Sequence, residues 1–221
     1  MHSSSFTIGA LSIALLFAPV AASAQAAAAD KPGSQIVAGT LPVWKIDASH
    51  SELTFSIRHL VSRVRGQFNV WGGAIAADPL DWSTASVEVT ADAATIDTNN
   101  ERRDADLRSP AHFDAVANPK VTFKSTKITR LAGDSLAAGG DLTIRGVTRP
   151  VVFRGKFGGI MGAAPKRRAG FNAVTVINRK DFGMVWNRAV EGGNLLGDEV
   201  RIELDVAAVE QAPATATAKQ P

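Results

Sequence analysis

The 221-residue sequence has no cysteine and no tyrosine. Without a thiol there is no disulfide scaffold, thiolate zinc site, iron–sulfur cluster or cysteine nucleophile. An acylated lipoprotein is excluded as well, because its lipid is carried on a mature N-terminal cysteine. Charge of one sign is also scarce. The 24 Lys and Arg stand against 21 Asp and Glu, a net of +3, far from the concentrated positive field that nucleic-acid binding needs. There are four histidines, and one of them is His2. Two catalytic signatures are missing too. No Gly-x-Ser-x-Gly elbow and no phosphate-cradling glycine loop occurs. Asp181-Phe182-Gly183 copies a kinase magnesium motif in letters only, without the glycine loop, strand lysine and His-Arg-Asp segment that give it meaning.

What is present begins with one long apolar run. Ile8 to Ala24, broken by Pro19 and closing in Ala22-Ser23-Ala24, has the form of a secretory signal peptide. Its n-region is weak, with only the α-amino group and His2 to supply charge. An uncleaved anchor is the alternative, but the run falls short of the roughly 20 residues a span requires and is diluted by small residues. Export to the periplasm with cleavage after about Ala24 is the expectation. Residues 25–40, rich in Ala and Gly, read as a linker, and residues 211–221 as a tail that buries nothing. One folded domain is left, over residues 41–210.

Within it the hydrophobic period is two. Leu53, Phe55 and Ile57 alternate with polar residues, as do Val87 and Val89, Val121 and Phe123, Leu142 and Ile144, and Val200 through Val206. This is the pattern of half-buried strands. Turn chemistry separates the runs at Gly72-Gly73, Asp78-Pro79, Ala132-Gly133-Asp134, Gly139-Gly140, Arg145-Gly146, Gly158-Gly159 and Gly192-Gly193. About eight antiparallel strands are predicted, as a barrel or a sandwich. The exception lies between Asp97 and Pro119. There Thr98-Asn99-Asn100-Glu101 resembles a capping box, Arg102 and Asp106 stand one helical turn apart, and Ser109-Pro110 stops the turn. One or two short helices are expected.

Several blocks, in order, carry a resemblance. Trp44-Lys45-Ile46-Asp47-Ala48-Ser49-His50-Ser51 and Phe55-Ser56-Ile57-Arg58-His59-Leu60 come first, followed by Gly66-Gln67-Phe68. Then come Asp97-Thr98-Asn99-Asn100 with Arg103-Asp104, Leu107-Arg108-Ser109 and Phe113-Asp114, and Pro119 with Thr122-Phe123-Lys124-Ser125. Gly140 to Val151, Ile177 to Gly183 and Gly197 to Val200 complete the series. The succession resembles the YceI-like polyisoprenoid-binding family across residues 44–209. It departs at Asp106, where members often have His, and at His112-Phe113, where they often have two aromatics. The resemblance implies an extended lipocalin-like antiparallel barrel, exported, with a long isoprenoid lipid or ubiquinone-like ligand inside and no other cofactor.

On that reading Phe55, Ile57, Phe68, Phe123, Phe171 and Phe182 are the candidate tail contacts. The domain has eight Phe and four Trp to supply apolar lining, although the same rings would serve a filled core equally well. Residues 171–178 are apolar on both faces, so the inward one is left open. Arg103, Arg179 and His59 are the candidate head contacts, since a guanidinium grips diphosphate bidentately or donates to a quinone carbonyl. Pairing of Arg103 with Asp104 and of Arg179 with Asp181 is the structural alternative. Lys166-Arg167-Arg168 is a candidate for transient contact with a membrane surface, and a homodimer is left open. His50, His59 and His112 are too scattered for a metal site. The expected function is a non-catalytic carrier. The alternatives are an enzyme acting on such a lipid and a ligand-free stress or interaction module with a filled core.

Overall fold

The computed structural model describes residues 41–190 and 193–212; the expected signal peptide, the linker and most of the tail lie outside them. The alternating runs all become strands. In chain order these are β1 (Val43–Ile46), β2 (Glu52–His59), β3 (Ser62–Phe68), β4 (Trp71–Asp78), β5 (Asp81–Asp92), β6 (Ile96–Asp97), α1 (Glu101–Arg108), β7 (Lys120–Arg130), β8 (Ser135–Ile144), β9 (Val147–Met161), β10 (Arg168–Asn178), β11 (Ala189–Val190), β12 (Gly193–Asn194) and β13 (Leu196–Glu210).

The sheet closes on itself, which decides barrel over sandwich. β1 pairs with β4 on one side and β13 on the other, through Trp44↔Ile75 and Trp44↔Glu210. Two staves of the barrel are kinked. β1 and β2 are joined by a 3-10 turn at Ala48–His50, where the Asp47 carboxylate caps Ser49 N, and β3 runs into β4 through Asn69 and Val70. Counting each kinked pair once gives eight antiparallel strands in a closed barrel.

Several glycines predicted as turns lie inside strands instead: Gly72-Gly73 in β4, Gly139-Gly140 in β8 and Gly158-Gly159 in β9. Close backbone approach in a strongly coiled wall is the reason. A Cβ on Gly73 would sit 2.1 Å from Glu88 O, and one on Gly140 2.4 Å from Lys124 O. Arg145-Gly146 is a true two-residue hairpin, with φ of 52° and 71°.

The insert after β6 holds one α-helix. Its N-cap is Asn100, which accepts from Arg103 N at 3.0 Å, not Thr98 as the capping-box reading expected. Thr98 is engaged otherwise: its amide and its hydroxyl both donate to the buried Asp104 carboxylate. Arg108 ties the far end of α1 to the carbonyls of Ala94 and Ile96. The helix is therefore latched over one end of the barrel, here called the α1 end, together with the β2–β3 and β8–β9 turns and the described residues of the segment before β13, 179–190 and 193–195. The opposite end carries the Asp78–Asp81 turn, the Leu131–Asp134 turn and the loop from Gly162 to Arg167.

The candidate ligand cavity

Inside the barrel is a cavity of about 700 Å³. A single water needs only ~10–15 Å³ on the same measure, and ligand pockets span roughly 300–1,000 Å³. The inward side chains register the void. Leu53, Phe55, Ile57, Val87, Val89, Ile202 and Leu204 face it and are only half-buried, although no solvent-side position is available to them. A filled core would have buried them.

The far end is closed. Trp44 and Trp82 are 0% and 6% exposed, with ring centroids 5.4 Å apart, and Trp82 packs edge-on against Phe171 at 4.8 Å and against Phe157 at 5.2 Å. Outside this floor, Arg167 lies over the Trp44 ring at 5.3 Å and grips Glu210 with both Nε and Nη2. Those two hydrogen bonds hold the Glu210 carboxyl below its usual range. Arg168 donates to Asp47 at 2.9 Å. Two of the three cations proposed for membrane contact are thus committed to ion pairs.

Five of the six predicted tail residues lie on the cavity wall: Phe55 and Ile57 from β2, Phe68 from β3, Phe123 from β7 and Phe171 from β10. Phe182 does not, and this corrects the expectation. The β9–β10 ladder ends at Val174↔Arg154, so the upper parts of those strands part. Phe182, 1% exposed in a 3-10 turn over Arg179–Phe182, packs with Leu142, Ile144, Phe153, Ile177 and Met184 and caulks the wall. On β10 the inward face is Phe171, Ala173 and Ile177, while Val176 is exposed on the outside.

The α1 end is polar and partly open. His59, Thr98, Asn100, Arg102, Arg103 and Asp106 border the cavity here, with Trp186 and Leu195 from the segment before β13. Arg103 donates through Nε and Nη2 to the Thr98 hydroxyl and carbonyl, both at 2.7 Å, and not to Asp104; Nη1 donates to no acceptor among the described residues. Arg179, predicted as a head contact, also borders the cavity, but its guanidinium is largely committed to protein acceptors. Its Nε donates to Gly197 O, Nη1 to Met184 O and Trp186 O, and Nη2 to Asp198. Burial lowers its pKa and Asp198 opposes the shift. Four of its five N–H groups are thus spent, two on the segment before β13 and two on the start of β13, and its acidic partner is Asp198, not Asp181.

His112, Asp106 and Trp186 form a contact that sequence reasoning did not assemble. His112 is buried, its Nε2 lies 3.3 Å from Asp106 Oδ2, and its ring meets Trp186 at 5.3 Å. Burial lowers the imidazole pKa against the pull of Asp106. The only signal in the sequence was the departure at those two positions; nothing in the chain marked Trp186.

Elsewhere, Asp47, Ser49 and His50 cluster on the surface. His50 Nδ1 contacts both Asp47 Oδ2 at 2.9 Å and Ser49 Oγ at 3.0 Å. A catalytic relay needs the acid and the nucleophile on opposite ring nitrogens, so this cluster is a capping turn. No group of three or more His, Asp or Glu side chains converges among the described residues.

Comparison with known proteins agrees with the barrel. Residues 44–208 match the model of the YceI-like domain. A UPF0312 protein of Staphylococcus aureus is 36% identical over 162 residues, 71% of this chain and 91% of the relative. A UPF0312 protein of Vibrio cholerae is 36% identical over 139 residues, 62% and 73% of the two chains. Among solved structures, the Campylobacter jejuni YceI protein superposes with a TM-score of 0.62 at 28% identity, covering 70% of this chain and 90% of that one. A polyisoprenoid binding domain from Saccharophagus degradans shares the fold, with a TM-score of 0.58 at 14% identity over 76% of this chain and 98% of that one. An antiparallel barrel closed through β1, hollow within and latched by α1, with that sequence match along nearly its whole length, makes this chain a member of the YceI-like domain family.

Proposed function

We propose that this protein is an exported, non-catalytic carrier holding an isoprenoid lipid, a polyprenyl chain or an isoprenoid quinone, with its tail in the barrel and its head at the α1 end. The observation that carries the reading is the cavity itself: about 700 Å³, mostly apolar along its wall, shut by Trp44 and Trp82 and with its charged groups gathered mainly at the opposite rim. A long hydrocarbon removed from water gains ~0.8 kcal/mol per CH₂, and a blind apolar tube rewards length without demanding directional contacts. The polyisoprenoid binding domain of the same fold supports the class of ligand. Export is supported by the Ile8–Ala24 run with its Ala22-Ser23-Ala24 end.

At the rim, Arg103 and His59 are the residues to meet a head group. Arg103 is held rigid by Thr98 and keeps Nη1 for a phosphate or carbonyl oxygen. Arg179 supports this indirectly, by holding the carbonyls of Met184, Trp186 and Gly197 together.

The test is extraction of the purified, untagged protein into organic solvent, followed by mass spectrometry. A stoichiometric prenyl lipid is expected. A substrate–product mixture would point to an enzyme instead, and an empty extract to a ligand-free module.

A further inference from the structure

Large apolar side chains are exposed around the open end of the cavity. Val61, at the tip of the β2–β3 hairpin, is 103% exposed, and Leu60 beside it 42%. Val185 and Trp186 are 64% and 39% exposed. Hydrogen bonds place these two pairs in one rim. Leu60 N donates to Leu195 O, Leu195 N donates to Arg188 O, and Asn187 bonds both the amide and the carbonyl of Leu196, which is paired with His59.

Three arginines accompany them. Arg58 and Arg63 face each other across the hairpin, and Arg188 stands beside Asn187. All three are exposed and none forms an ion pair with another described residue. Of the acids of the same rim, Asp198 is held by Arg179 and Lys180. Over residues 58–63, 143–149 and 179–199 the sequence has seven Lys and Arg (Arg58, Arg63, Arg145, Arg149, Arg179, Lys180 and Arg188) against four acids (Asp181, Glu191, Asp198 and Glu199), so the rim carries an excess of positive charge. An exposed Trp among aliphatic side chains, bordered by arginines, is the composition that seats at a membrane interface, apolar groups at the acyl boundary and cations at anionic head groups.

We propose that this rim docks on the surface of a phospholipid bilayer that carries anionic head groups, with Leu60, Val61, Val185 and Trp186 inserted and the arginines in the head-group layer. Trp186 and Leu195 belong to both the rim and the cavity wall. Docking there brings the cavity opening against the bilayer, so that a lipid passes between the two without its tail crossing water. The far-end Lys166–Arg168 loop is assigned no part in this. The proposal rests on the carrier reading for its purpose but not for its measurement.

The experiment is co-sedimentation of the full mature chain with vesicles of phosphatidylcholine alone and of phosphatidylcholine with phosphatidylglycerol, at low and high salt. Wild type is expected to partition onto the anionic vesicles, less so at high salt. Arg63→Ala should lower the partition about fivefold, and Val61→Glu should nearly abolish it, with unchanged circular dichroism because neither side chain enters the core. Lys166→Glu should leave it intact. No binding by wild type, equal binding by the rim variants, or loss in Lys166→Glu would each overturn the proposal. Prenyl lipid is extracted from the same preparations. Rim-dependent docking with no extractable lipid would sink the carrier reading alone, and bound lipid without rim-dependent docking would sink this proposal alone.

Discussion

The sharpest test of a hollow barrel is to put a large side chain where a lipid tail is argued to lie. Ala173 is suited to it. It sits on the inward face of β10 between Phe171 and Thr175, opposite Leu204 of β13 and Gly155 of β9, on the cavity wall. In Ala173→Trp the indole enters a space of about 700 Å³ that protein atoms do not occupy. The lipid-free barrel should lose no stability, since the ring buries its own apolar surface against the wall. The ligand is displaced by about one isoprene unit. At ~0.8 kcal/mol for each of about five carbons, that is ~4 kcal/mol, roughly a thousandfold in affinity. If these side chains filled a dry core, the same substitution would overpack it and cost ~1–3 kcal/mol of folding stability. Wild type and variant would be compared by lipid content on extraction and by the denaturation midpoint after delipidation. A clear destabilisation with undiminished lipid content would refute the hollow-barrel reasoning.

Three further predictions follow from charge and sequence. Arg167→Ala removes both hydrogen bonds to the buried Glu210 and the cation over Trp44, and the thermal midpoint should fall by several degrees. Because Arg167 holds the folded Glu210 carboxyl below its ordinary value near 4.5, the pair stabilises fully above that pH and progressively less as pH falls; in Arg167→Ala the loss of midpoint on acidification should be shallower. His112 is shifted the same way by burial: the folded imidazole has the lower pKa, so unfolding takes up a proton and stability declines as pH drops below about 6.5. His112→Gln should flatten the midpoint between pH 6.5 and 5, and an unchanged slope would count against a buried neutral imidazole. N-terminal sequencing of the protein recovered from the periplasm should begin at or near Gln25; intact Met1 in the inner membrane would contradict export.

Alternation along Leu53–Ile57, Val87–Val89, Val121–Phe123, Leu142–Ile144 and Val200–Val206 was enough to read strands and their inward faces, because a pleated chain turns every second side chain to the same side. With the family resemblance it pointed to Phe55, Ile57, Phe68 and Phe123 as one interior, whereas both faces of residues 171–178 are apolar and the fold decided that Phe171 faces in. What period two does not encode is how far the facing walls stand apart. Whether those rings meet or leave a void depends on closure through β1 and on the barrel's girth, which are properties of all eight strands together.

The same limit explains the residues that went elsewhere. Gly73 and Gly140 carry the letters of a turn, yet they lie in strands because the neighbouring backbone approaches too closely for a Cβ, a distance no local pattern contains. Phe182 follows strand β10 in sequence but fills the seam that opens where the β9–β10 ladder stops. Arg179 looked like a ligand for a phosphate. Only the fold brings the carbonyls of Met184, Trp186 and Gly197 to it, and a buried guanidinium takes the acceptors that surround it. The sequence by itself thus determined an antiparallel β fold with an apolar inward face, and its family resemblance implied a barrel. The tertiary structure decided that the barrel is hollow, which end is shut and which arginine is left for a ligand, because each depends on distances between segments far apart in the chain.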